Sequence, residues 1–168
     1  MKIQYSYLKN FLNTNLSQKK LCDVFTQVGF ECEVEGDLIE FDITPNRGDA
    51  LSLRGLEREF YAYQLKKPSQ KIETSSLRLM QNKKIINQID GSGCGNYHLM
   101  LVKGLKKIKN LDFKKRSFIE SAGIPLINPL VDLGNYVMLE LGVPMHVFDL
   151  AKLVLPINVC FLKTRIIQ

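Results

Sequence analysis

The sequence predicts an α+β fold in two parts: a small helix/β-hairpin/helix unit, then an incomplete mixed α/β domain. Three observations predict it. Leu21, Val24, Phe25 and Val28 fall on one helical stripe. Two runs of period two, Phe30–Val34 and Ile39–Ile43, flank Gly36-Asp37. A second set of helical patterns appears after residue 110, punctuated by Gly123, Pro129 and Gly142.

Each element has a local reason. Ser6 is a candidate cap for a short helix over Tyr7–Leu12, with Leu8, Phe11 and Leu12 inward. Ser17 opens the next helix and Gly29 closes it, because glycine takes the left-handed cap conformation cheaply. In the hairpin, Phe30, Cys32 and Val34 alternate with Glu31, Glu33 and Glu35, and Ile39, Phe41 and Ile43 with Glu40, Asp42 and Thr44. Alternation of this kind gives one buried and one wet face, and Gly36-Asp37 suits a two-residue turn. Thr44-Pro45-Asn46-Arg47-Gly48-Asp49 forces a loop, with Asp49 the expected cap of a helix running to about Leu65 on a stripe of Leu53, Leu56, Phe60 and Tyr63. The Arg47-Gly48-Asp49 tripeptide, known from adhesion proteins, reads here as a turn with a cap. Residues 69–92 read as a linker with one or two short strands. Beyond it, Tyr97–Val102 predicts a strand, Leu111–Ala122 a helix stopped by Gly123, and Leu130–Leu141 a helix with Pro129 at its first position and Gly142 at its end. Pro144–Asp149 is expected to be extended or turned, and Ile157–Lys163 to be β-like.

Composition excludes several classes. In 168 residues, 45% are apolar and 24% charged, so neither a disordered tail nor a fibre fits. No apolar run reaches the ~20 residues of a membrane span, and the opening Met1-Lys2-Ile3-Gln4-Tyr5 lacks the apolar core of a signal peptide. Cys22, Cys32, Cys94 and Cys160 have no C-x-x-C pairing, so a zinc site or a disulfide framework is not expected, and reduced cytoplasmic thiols are. Gly91-Ser92-Gly93-Cys94-Gly95 is not the G-x-G-x-x-G fingerprint of a nucleotide cradle.

The net charge of +6 is uneven. Residues 1–68 carry nine Lys/Arg against ten Asp/Glu, a balance of −1, and residues 69–168 carry fourteen against seven, a balance of +7. Lys103, Lys106, Lys107, Lys109, Lys114, Lys115 and Arg116 stand against one acid, Asp112. Such a stretch can bind a phosphate backbone by counterion release; the plain alternative is a solvated helix face with its loop. Of the two histidines, His146 lies in a proline turn close to Asp149 and could orient a substrate, or be structural; His98 alternates with apolar neighbours.

Two long strings carry a resemblance. Residues 42–55 read DITPNRGDALSLRG, and residues 131–149 read VDLGNYVMLELGVPMHVFD. Both resemble the bacterial phenylalanyl-tRNA synthetase β subunit, in that family's order, as do Met1–Lys9 and, between the strings, Cys94–Tyr97 and Val102–Gly104. The resemblance covers nearly the whole chain. It implies that residues 1–68 correspond to the subunit's first domain and residues 93–168 to the start of its editing domain. It further implies a cytoplasmic complex of two α and two β subunits that joins phenylalanine to tRNA with ATP and magnesium. The implied partners of this chain are the α subunit and tRNA, with no membrane, no DNA and no cofactor or metal held by the chain itself.

The departures shape what is expected of function. Gly36-Asp37 joins the hairpin strands directly, where family members carry an inserted oligonucleotide-binding barrel. Pro125 stands at an arginine of the editing pocket, and Asn96, Leu99 and Met100 stand at an arginine, a glycine and a second arginine of the family pattern. Proline brings neither charge nor donor. His146 matches the pocket histidine, while the pocket's glutamate and threonine lie past the end of this chain. The expectation is a β-subunit-like assembly and tRNA-positioning part, not catalytic alone, with editing lost and with the basic stretch 103–116 as phosphate contact. A stand-alone tRNA-editing deacylase relying on His146, a free nucleic-acid-binding module and a truncated paralogue are the alternatives.

Overall fold

A computed structural model of the chain describes residues 1–66, 86–89, 97–105, 108–155 and 157–159. The chain gathers into two compact units, residues 1–72 with 107–147, and residues 73–106 with 148–168. The sequence segments follow chain order; the compact units interleave.

The first unit starts with a strand that has no signature in the sequence. β1 (Lys2–Gln4) pairs antiparallel with β3 (Leu38–Asp42), which pairs in turn with β2 (Glu31–Glu35), giving the order β1-β3-β2. The hairpin is as expected: Glu35 faces Leu38 across Gly36-Asp37, and Gly36 has φ +61°. One face is buried through Ile3, Ile39 and Phe41. The other sets Glu31 opposite Asp42 and Glu33 opposite Glu40, like charges that oppose pairing. Lys2 relieves part of this, its Nζ lying 3.2 Å from Glu35 and 3.1 Å from Glu40. Val34, expected inward, is half exposed, because it sits near the end of an edge strand.

α1 (Tyr5–Phe11) starts two residues before the expected Tyr7, and Ser6 does not cap it. The strand runs straight into the helix: the Tyr5 N–H donates to Asp37 O at 2.7 Å, so a backbone carbonyl replaces the side-chain cap. α2 (Gln18–Val28) follows the sequence reading, with Ser17 accepting from the Lys20 N–H and Gly29 left-handed at φ +103°. Leu21 and Phe25 are buried, and Phe25 meets Phe41 edge-on at 5.0 Å between ring centroids.

After β3 the loop is a 3-10 turn over Pro45–Ala50. Asp49 does not cap the next helix. Arg47 captures it through two hydrogen bonds of 3.0 and 3.1 Å. Ser52 caps α3 (Leu53–Tyr63), accepting from the Gly55 N–H at 3.0 Å. Leu53, Leu56 and Phe60 are buried as predicted; Tyr63 is exposed, and Tyr61 is buried instead, its hydroxyl donating to Leu12 O at 3.0 Å.

α4 (Phe113–Ser121) and α5 (Pro129–Leu141) complete this unit. Phe118 of α4 is fully buried in the shared core, stacked on Tyr7 at 4.5 Å, and Ser117 donates to Gln4 at 3.2 Å. Asn128 caps α5 by accepting from the Leu130 and Val131 N–H groups, with Pro129 at the first position and Gly142 left-handed at φ +76°.

In the second unit β4 (Ile86–Ile89) pairs parallel with β5 (Ile157–Val159), the described part of the expected Ile157–Lys163 run. The strand expected over Tyr97–Val102 is absent: residues 97–105 are irregular. An apolar run becomes a strand only when a neighbour accepts its ladder, and among the described residues none does. Leu150–Lys152 form a 3-10 turn capped by Asp149. The Gly91–Gly95 motif, Cys94, Asn96 and Cys160 lie outside the described residues. No helix among those described is long and apolar enough to cross a membrane.

Gly55 tests the packing of the loop onto α3. A Cβ there would lie 2.2 Å from Asp49 O and 2.6 Å from the Ala50 Cα, both backbone atoms that cannot swing aside. Gly55→Ala is expected to lower unfolding free energy by at least about 2 kcal/mol in a urea titration of the full chain. An unchanged midpoint would contradict the close approach.

Candidate functional site

The predicted contact residues fall in different settings. Lys103 is exposed in the second unit, and Lys109 and Lys114 are exposed in the first. Lys115 and Arg116 are half-buried, while Lys106 and Lys107 lie outside the described residues. The single acid of the stretch is occupied. Asp112 caps α4 through the Lys115 N–H at 3.0 Å, and its other oxygen takes Lys115 Nζ at 2.7 Å. The Lys115 ammonium holds the Asp112 carboxyl below the usual carboxylate range, and the same bond raises Lys115. Lys115 also lies 5.6 Å from the centre of the Tyr136 ring.

His146 is exposed, on the segment after α5. Pro125 is exposed on the α4–α5 connection. Tyr97, Phe148, Leu153, Val154, Ile157 and Asn158 of the second unit line an open hollow of about 410 Å³, and among the described residues its lining includes no carboxylate, histidine or thiol. Two free thiols, Cys22 and Cys32, are pushed up, mainly by burial, Cys32 to about 12. Thiols so raised stay protonated at neutral pH and are poor nucleophiles. Among the described residues no group of three or more His, Cys, Asp or Glu is placed to hold a metal ion.

A polar chain through the first unit went unpredicted. Tyr7 of α1 donates to the Tyr136 hydroxyl at 3.2 Å, and Tyr136 bonds Glu140 one turn along α5. Glu140 accepts from Arg54 Nη2 of α3 at 3.3 Å. Arg54 Nη1 reaches Glu57 at 2.9 Å, and the guanidinium lies 5.0 Å from the centre of the Phe11 ring. Burial, the Tyr7 hydroxyl and the Glu140 carboxylate push the Tyr136 phenol up, which keeps it protonated as a donor. Glu57 is only 2% exposed, and its Oε1 has no hydrogen-bond partner among the described residues. The one sequence signal was Tyr136 and Glu140 at i, i+4 on a helix.

Comparison with known proteins bears on this arrangement. Residues 93–165 match the B3/4 domain family. The phenylalanine–tRNA ligase β subunit of Rhodopirellula baltica is 31% identical over 160 residues, 90% of this chain and 23% of that protein. That of Aquifex aeolicus is 40% identical over 116 residues, 68% of this chain and 14% of that protein. That of Haemophilus influenzae is 28% identical over 177 aligned residues, 92% of this chain and 22% of that protein. The chain is a relative of the phenylalanine–tRNA ligase β subunits. It spans less than a quarter of the length of these three.

The two strings that carried the resemblance to these β subunits are the ones that α3 and α5 bring together. Arg54 is the next-to-last residue of the first and Glu140 lies in the second. Ser52 and Gly142 also meet: a Cβ on Gly142 would lie 3.3 Å from the Ser52 Cβ. A double-mutant cycle of Arg54→Ala with Glu140→Ala should give a coupling of about 0.5–3 kcal/mol in unfolding free energy. Single costs that add to within about 0.3 kcal/mol would mean that the contact couples nothing.

Proposed function

We propose that this chain is a β-subunit-like component of a phenylalanine–tRNA ligase, assembling with an α subunit and positioning tRNA without catalysing a reaction alone. The observation that carries the reading is relatedness to the β subunits over 90% of the chain, combined with a first unit whose core is closed. In this reading aminoacylation, with its ATP and magnesium, belongs to the complex, which works in the cytoplasm. The chain contributes basic residues from each unit, Lys103 from the second and Lys109, Lys114 and Arg116 from the first, with Lys106 and Lys107 in the same stretch of sequence.

Editing is lost in the same proposal. Hydrolysis of an aminoacyl ester needs an oriented water and electrostatic help where charge develops. Pro125 supplies neither at the position where the resemblance puts an arginine, and a single histidine such as His146 falls far short of groups that act as a unit.

Co-expression with the α subunit from the same source tests the assembly. The expected result is co-elution on a sizing column, with aminoacylation above that of the α subunit alone. Separate elution with no gain would refute the reading, and hydrolysis of tyrosyl-tRNA by the lone chain, abolished by His146→Ala, would favour the deacylase instead.

A further inference from the structure

Phe113 is out of place for a core residue. It is the first residue of α4 and 82% exposed, although Phe118 and Ile119 of the same helix are fully buried. Its surroundings are cationic. Lys114 follows it, Lys109 lies in the preceding loop, and both are exposed. Arg116 stands three residues on, the helical spacing that shares its face. The neighbouring acid, Asp112, is already taken up by Lys115.

An exposed aromatic ring among cations fits one class of ligand better than others. Protein interface cores are depleted in lysine, so a protein partner would have to bury unmatched ammonium groups around the ring. A single-stranded nucleic acid presents both complements at once: phosphates for the cations and a flat base for the ring. Double-stranded RNA offers the phosphates but keeps its bases stacked inside.

We propose that Phe113 is a stacking platform for an unpaired RNA base, with Lys109 and Lys114 holding the flanking phosphates. The inference rests on the tRNA-positioning reading above and adds to it an unpaired nucleotide as the recognised element. It places the contact at the start of α4, while Lys115 is held internally by Asp112 and Tyr136.

Fluorescence anisotropy tests it on the full chain, using a short single-stranded RNA and a duplex of the same sequence. Phe113→Ala should weaken single-strand binding by about 5- to 150-fold, the range of one lost base stack. It should leave duplex binding and the melting temperature unchanged, and Phe113→Trp should retain the affinity. Lys109→Ala with Lys114→Ala should weaken both probes and flatten the salt dependence by about 0.7 log unit per phosphate contact on the single strand. Single-strand affinity of Phe113→Ala within twofold of the parent, with the lysine variant still weakened, overturns the stacking site alone. An unchanged affinity in both variants, or no binding by the parent, overturns the tRNA-contact reading of this stretch as well.

Discussion

The guanidinium of Arg54 has to be satisfied on several sides at once, because it is carried into a region where little water reaches it. Glu57 meets it from the same helix, Glu140 from α5, and the Phe11 ring from α1. A charge buried this far is unfavourable unless its partners are all present. Removing one partner of such a pair typically costs about 3–5 kcal/mol, more than the pair contributes over a well-packed apolar substitute. The packing of the first unit is tied to this constraint. Glu140 of α5 faces Arg54, and Glu140 also bonds Tyr136, which accepts from Tyr7.

This gives a physical meaning to the two strings shared with the phenylalanine–tRNA ligase β subunits. Their interior residues make contacts with each other. Ser52 caps α3 and touches the turn at Gly142, Gly55 lets the 3-10 turn approach the helix, and Arg54 crosses to α5. The groups that the strings leave exposed include the carboxylates of Asp42, Asp49 and Asp149 and the apolar side chains of Leu51, Leu133 and Val143.

Local rules sufficed where the signal was local. α2, the hairpin and α5 each carry a cap, a period and a stop within their own residues, and Ser17, Gly29, Asn128 and Gly142 all take the cap positions that their types favour. The misses come from long-range partners. β1 is three residues long and shows no periodicity; it is a strand because β3 offers it a ladder. Asp49 and Ser52 are equally good caps by type, and Arg47 decides between them by capturing Asp49. Residues 97–102 have the pattern of a strand and lack a described neighbour to pair with. In the candidate site, clustered charge made the basic residues visible. The Tyr7–Tyr136–Glu140–Arg54–Glu57 chain was not, because its members lie on three helices, α1, α3 and α5, far apart in sequence, and meet only after folding.

If Arg54 and its partners fasten α5 to α3, the two helices must open together. Native-state hydrogen exchange over a range of sub-denaturing urea measures this directly. The amides of α3 and α5 should share one opening free energy and one urea dependence, both converging on global unfolding. Exchange of α5 amides through a separate opening of much lower free energy, while α3 stays protected, would contradict the account.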